Sequence, residues 1–117
     1  MSYDWKDKSS LVEFTLPWFE DIDQKFLHAC RLFSDTPNPF EELMNVEKLS
    51  GRRVLEIGCG MGLHCEMLVR AGAKLTAIDL SPTSVRATAK RLELKNLEAR
   101  EFLGSPLRRR AFPCRKR

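Results

Sequence analysis

The segment Glu56-Ile57-Gly58-Cys59-Gly60-Met61-Gly62 is where this sequence could do chemistry. Its glycines alternate directly after a short apolar run and before a helical pattern. Glycine accepts the positive φ of a tight strand-to-helix turn. It also removes Cβ atoms, so a ligand can approach the backbone amides closely. Asp79 follows 17 residues beyond Gly62, at the end of a second apolar run. A carboxylate placed there can accept hydrogen bonds from both hydroxyls of a ribose. A glycine turn with a strand-end acid therefore describes a site for a nucleoside-containing ligand.

The spacing narrows the ligand class. A dinucleotide fingerprint needs Gly-x-Gly-x-x-Gly. Starting from Gly58 its third glycine position holds Leu63, and starting from Gly60 it holds Cys65. The sequence reads instead acid-x-Gly-x-Gly-x-Gly. Glu56, two residues before the first glycine, repels a pyrophosphate and attracts an amino group. A ligand with a ribose and a cationic amino-acid end fits, and S-adenosylmethionine has that form.

These residues need elements to position them. Arg53-Val-Leu-Glu-Ile is short, apolar and closed by glycine, and reads as a buried strand. Leu63, Met67, Leu68 and Ala71 have helical spacing, with Gly72 as a stop. Lys74 to Leu80 is a second strand. Ser81-Pro82 caps and starts a helix through Val85, Thr88, Ala89 and Leu92. Glu98 to Leu103 makes a third strand. Strands alternating with helices imply a parallel sheet with right-handed crossovers. Upstream, Phe19, Ile22, Phe26, Cys30 and Phe33 mark one face of a helix starting near Pro17, with Glu20, Asp21, Asp23, Gln24 and Lys25 mostly opposite. Ser34 to Pro39 is a linker, and Phe40 to Lys48 a short second helix.

With both motifs placed, the chain resembles a known family. Val54-Leu-Glu-Ile-Gly-Cys-Gly-Met-Gly-Leu-His and Ala71-Gly-Ala-Lys-Leu-Thr-Ala-Ile-Asp-Leu-Ser-Pro-Thr-Ser-Val are similar to the first two motifs of class I S-adenosylmethionine-dependent methyltransferases, especially the methyltransferase type 11 group. The resemblance covers roughly residues 17–103. It implies an α/β fold: a Rossmann-like parallel sheet, here incomplete at about three strands, with N-terminal helices. It divides the chain into a helical cap (1–50), the first half of a cofactor-binding domain (51–104) and a basic tail (105–117). It also implies that Glu56 holds the methionine amino group, that Gly58, Cys59, Gly60, Met61 and Gly62 line the methionine and ribose path, and that Asp79 binds the ribose. Leu80 packs on the adenine. The N-terminal helices cover the cofactor, with Trp18 and Phe19 placed in ordinary packing.

Family members continue with an acid at the adenine and a fourth strand. This chain turns instead to Arg108-Arg-Arg-Ala-Phe-Pro-Cys-Arg-Lys-Arg. The chain has 117 residues and a net charge of +4, but residues 108–117 carry six basic groups and no acid, leaving the remainder at −2. The expectation is a C-terminally truncated methyltransferase that binds cofactor without turning over, with a small-molecule methyl acceptor in the full-length family. The first strand, lacking a fourth beside it, offers an edge for self-association. Rivals are a non-catalytic cofactor-binding module completed by a partner, and a nucleic-acid binder driven by the tail, which the acidic body disfavours. The N-terminus is not a secretory signal and no apolar run suits a membrane span, so a cytoplasmic protein is expected. There its cysteines stay reduced. Cys59, His64 and Cys65 read as buried thiols and a polar helix residue, since adjacent His64 and Cys65 make a strained chelate with no fourth ligand near; no metal is assigned.

Overall fold

Two short β-prone segments pair side by side and set the frame. The computed structural model describes residues 11–32 and 35–103. Strand β1 (Arg53–Ile57) and strand β2 (Lys74–Ile78) run parallel, in register from Arg53 opposite Lys74 to Ile57 opposite Ile78. Strand β3 (Glu101–Leu103) joins the far side of β2, also parallel, with Thr76 opposite Glu101. The sheet order is β1-β2-β3. Central β2 has both neighbours and buries four of its five residues.

Strand β1 differs from the expected buried strand. It pairs on one edge only among the described residues, and Leu55 and Ile57 are exposed on one of its faces. The reason is cover: Val54 packs into the core beside α3 (Leu63–Arg70), while the Leu55 and Ile57 face lacks an equivalent helix among the described residues.

Helix α1 (Leu16–Cys30) has Pro17 in its first turn, where a missing N–H costs nothing. Phe33, expected on its apolar face, lies outside the described residues. The expected single helix over Phe40 to Lys48 is instead α2 (Phe40–Leu43) and a 3₁₀ turn (Val46–Lys48). Asn45, in the left-handed conformation between them, breaks the run. Helix α4 (Pro82–Leu94) starts as expected: the Ser84 amide donates to Ser81 Oγ at 3.2 Å. Its buried face, however, is Ala87, Thr88, Arg91 and Leu92, so an arginine stands where only small and apolar groups were expected.

Two packed clusters flank the glycine turn. Cys59, Cys65, Leu68, Ala73, Leu75 and Ala77 join α3 to the sheet. Trp18, Phe19, Ile22 and Ala87 join α1 to α4, with Met61 of the turn packed against them. Trp18 and Phe19 are packing residues, as expected, with ring centroids 4.9 Å apart. No helix among the described residues is long and apolar enough to cross a membrane. The basic tail lies outside the described residues.

Candidate functional site

The turn from β1 to α3 is fixed from three directions. At its start, the amides of Gly58 and Cys59 both donate to the Ile78 carbonyl, at 2.8 and 3.2 Å, which pins it to the end of β2. In its middle, the Gly60 amide donates to Asp79 Oδ2 at 3.0 Å, and the Gly60 carbonyl accepts from Thr88 Oγ1 of α4 at 2.9 Å. The other Asp79 oxygen accepts from the Ser81 amide at 2.8 Å. Asp79 thus ties the glycine turn to the start of α4, and each carboxylate oxygen keeps a lone pair for a further donor.

Two of the glycines serve opposite needs. A Cβ on Gly60 would meet nothing within 4 Å, so its surroundings are open. A Cβ on Gly62 would stand 3.1 Å from Arg91 Cδ and from Thr88, so there the turn is pressed against α4. The first leaves room for a ligand; the second lets two elements approach.

A cavity of about 230 Å³ lies over this turn. Glu56, Gly58, Cys59, Gly60, Met61 and Gly62 line it, so six of the expected site residues converge. Asp79 is not in its lining but is bonded to the Gly60 amide beside it. Leu80 lies just beyond Asp79, outside the lining and 70% exposed. The rest of the lining comes from Ile22, Asp23 and Phe26 of α1, with Leu63 and His64 opening α3. These five were not named as site residues from sequence. A signal existed for Ile22, Asp23 and Phe26: with Phe19 they fall at steps of three and four, so Asp23 belongs to the inward stripe and not to the polar side.

Glu56 sets the electrostatics. The Cys65 thiol donates to Glu56 Oε1 at 2.8 Å, and His64 Nδ1 lies 3.7 Å from Oε2. Burial raises the Glu56 carboxyl above its ordinary value; the Cys65 hydrogen bond opposes this and the charge of Asp79 adds to it. Burial, then the charge of Arg91, lowers His64, so its ring is neutral at physiological pH. Its Nε2 is buried without a hydrogen-bond partner, beside the rings of Phe40 and Phe26. Cys65 is pushed up by its contact with Cys59, by burial and by Glu56, and stays a thiol. Cys59 is lowered, chiefly by its contact with Cys65. The site therefore presents a desolvated carboxylate, open backbone and a second carboxylate beside the turn, a set complementary to a cation joined to a hydroxylated sugar.

Comparison with known proteins places the chain in a family. A family model described as a methyltransferase domain matches residues 54–114, more than half of the chain. The chain belongs to the class I methyltransferase family. Its methyltransferase match begins at β1 and takes in the whole glycine turn, Asp79 and α4. Among curated methyltransferases, it is 44% identical over 69 residues to a ubiquinone biosynthesis O-methyltransferase from Xanthomonas euvesicatoria, covering 59% of this chain and 27% of that protein. It is 37% identical over 86 residues to a protein of the same name from Xylella fastidiosa, covering 73% of this chain and 33% of the relative. A third, from Xanthomonas campestris, is 42% identical over 69 residues, or 59% of this chain and 27% of its own length. The chain thus spans about a third or less of the methyltransferases it matches.

Proposed function

We propose that this chain binds S-adenosylmethionine across the glycine turn, as the cofactor-binding part of a methyltransferase. The observation that carries this is the pairing of Glu56 and Asp79 on either side of open backbone at Gly60. Glu56 meets the ammonium of the methionine end. The backbone of Gly58, Cys59, Gly60, Met61 and Gly62 runs beside the methionine and ribose. Asp79 turns its free lone pairs to the ribose hydroxyls, and exposed Leu80 offers an apolar face to the adenine. When bound, the cofactor supplies an electrophilic methyl group. The protein's part in such a displacement is mainly positioning, because fixing two reactants removes most of the entropic barrier.

The names of the relatives support transfer to oxygen, and we propose a hydroxyl group on a small molecule as the acceptor in the full-length family. We assign cofactor binding to these residues. Calorimetry with S-adenosylhomocysteine tests the assignment. Binding is expected for the unaltered chain and loss of binding for Asp79→Ala. Equal affinity of the two would remove Asp79 from the site.

A further inference from the structure

Arg91 is the most enclosed charged side chain among the described residues, 1% exposed, and it lies outside the set assigned to the cofactor. Every face of its guanidinium is occupied. Nη1 and Nη2 form a two-pronged pair with the carboxylate of Asp23, the Nη1 contact measuring 2.7 Å. Nε donates to Glu66 Oε1 of α3 at 2.8 Å. Nη1 also reaches the carbonyl of Met61 in the glycine turn, at 3.4 Å. The Phe19 ring of α1 lies 5.6 Å from the guanidinium carbon. One α4 side chain therefore touches α1, α3 and the turn together. Arginine suits this position because its planar fork holds a carboxylate bidentately and stays charged.

Asp23 is the partner that reaches the ligand cavity. It lines the part of the cavity that α1 contributes, together with the glycines of the turn. The rest of the α1 attachment is apolar packing through Trp18, Phe19 and Ile22. Such packing holds a helix close but does not fix its rotation or its slide along the groove, whereas a two-pronged ion pair does.

We propose that Asp23 is a positioning residue for the cofactor site: paired with Arg91, it latches α1 over the glycine turn and thereby sets ligand affinity. This rests on the cofactor reading for its affinity arm, and stands apart from it for its structural arm. Arg91, bonded to the Met61 carbonyl, transmits the position of α1 to the turn. Glu66 holds Arg91 in place from the α3 side, so that Asp23 acts on a fixed partner.

The test compares the unaltered chain, Asp23→Asn, and Asp21→Asn as a same-helix control, since Asp21 pairs with Lys25 at 3.0 Å outside the cavity lining. Amide hydrogen exchange is read element by element, and affinity for S-adenosylhomocysteine is read by calorimetry. Asp23→Asn is expected to speed exchange in α1 selectively, leaving α3 and β2 protected, and to weaken binding by about ten-fold or more. Asp21→Asn is expected to change neither. Unchanged α1 exchange and affinity in Asp23→Asn would overturn the latch, and so would a uniform rise of exchange in every element. If the unaltered chain binds no S-adenosylhomocysteine, the cofactor reading fails, and the exchange pattern alone still decides the latch. Should Asp23→Asn fail to fold, Arg91→Lys keeps the charge and loses the fork. It should show the same α1-selective loosening to a smaller degree, and a uniform rise would again overturn the proposal.

Discussion

Glu56 shows how a buried carboxylate in the proposed cofactor site can act against the fold. Its carboxyl is raised by burial, so the ionised form present at neutral pH is held in an unfavourable place. A group raised on folding contributes stability below its unfolded value, and that contribution is lost as pH rises through the folded value. Glu56→Gln is therefore expected to keep or raise the thermal midpoint at pH 7, since glutamine can still accept from Cys65. The same change should weaken S-adenosylmethionine binding by about ten-fold or more, the worth of a charge-assisted hydrogen bond. A clear fall in midpoint with unchanged affinity would show that Glu56 is structural. Glu56, the glycines and Asp79 could be singled out in the sequence because local backbone geometry and the charge beside it mark them. The surroundings of His64 and Arg91 were not legible, since they come from other elements; Asp23 carried an inward spacing, but nothing local showed its partner. An acid inside an apolar stripe reads as solvent-facing until a buried arginine from a helix 68 residues away meets it.

The elements were legible where a local stop or start fixed them. Ser81-Pro82 begins α4 and Gly62 begins α3 because capping and positive φ act within a few residues. The division of Phe40 to Lys48 was hidden, since a left-handed Asn45 is a choice that helical spacing does not reveal. Packing between elements gives the glycine turn a duty besides the proposed one of admitting a ligand. Gly62 has φ +93 and stands against Thr88 and Arg91 of α4, whereas Gly60 has φ +55 and open space. Gly62→Ala combines backbone strain with overpacking and is expected to cost about 2–3 kcal/mol of stability. Gly60→Ala carries the strain alone, about 1–2 kcal/mol, and places its methyl where the ligand would lie. Chemical denaturation and calorimetry on both variants check this. Stability should fall further in the Gly62 variant, and Gly60→Ala should lose affinity out of proportion to its stability. The reverse order would exchange the roles of the two glycines.

Across the whole molecule, charge networks and uncovered surface oppose each other. Burial alone would raise the Glu66 carboxyl from 4.5, but hydrogen bonds from Lys95, Arg70 and Arg91 outweigh it and hold it at about 2. Its contribution to stability is complete above pH 4.5 and is lost as pH falls from there toward 2. Urea midpoints measured from pH 7 to 2 should fall through that window, and Glu66→Gln should be less stable at pH 7 and flatter below 4.5; parallel curves would exclude Glu66 as the acid-sensitive group. At the other side of the sheet, β1 pairs only with β2 among the described residues, and Leu55 and Ile57 are 38% and 73% exposed. A strand edge with unpaired backbone beside exposed aliphatics is a template for another strand. A second copy offers the same edge, and a two-fold axis lets the two β1 strands meet antiparallel, each supplying what the other lacks. We therefore expect concentration-dependent self-association in sedimentation velocity. Ile57→Lys should suppress it, because a lysine on that face must be desolvated to pair while an isolated exposed lysine costs the fold little. A single monomeric species at every concentration of the unaltered chain, or association untouched by Ile57→Lys, would take the β1 edge out of any assembly.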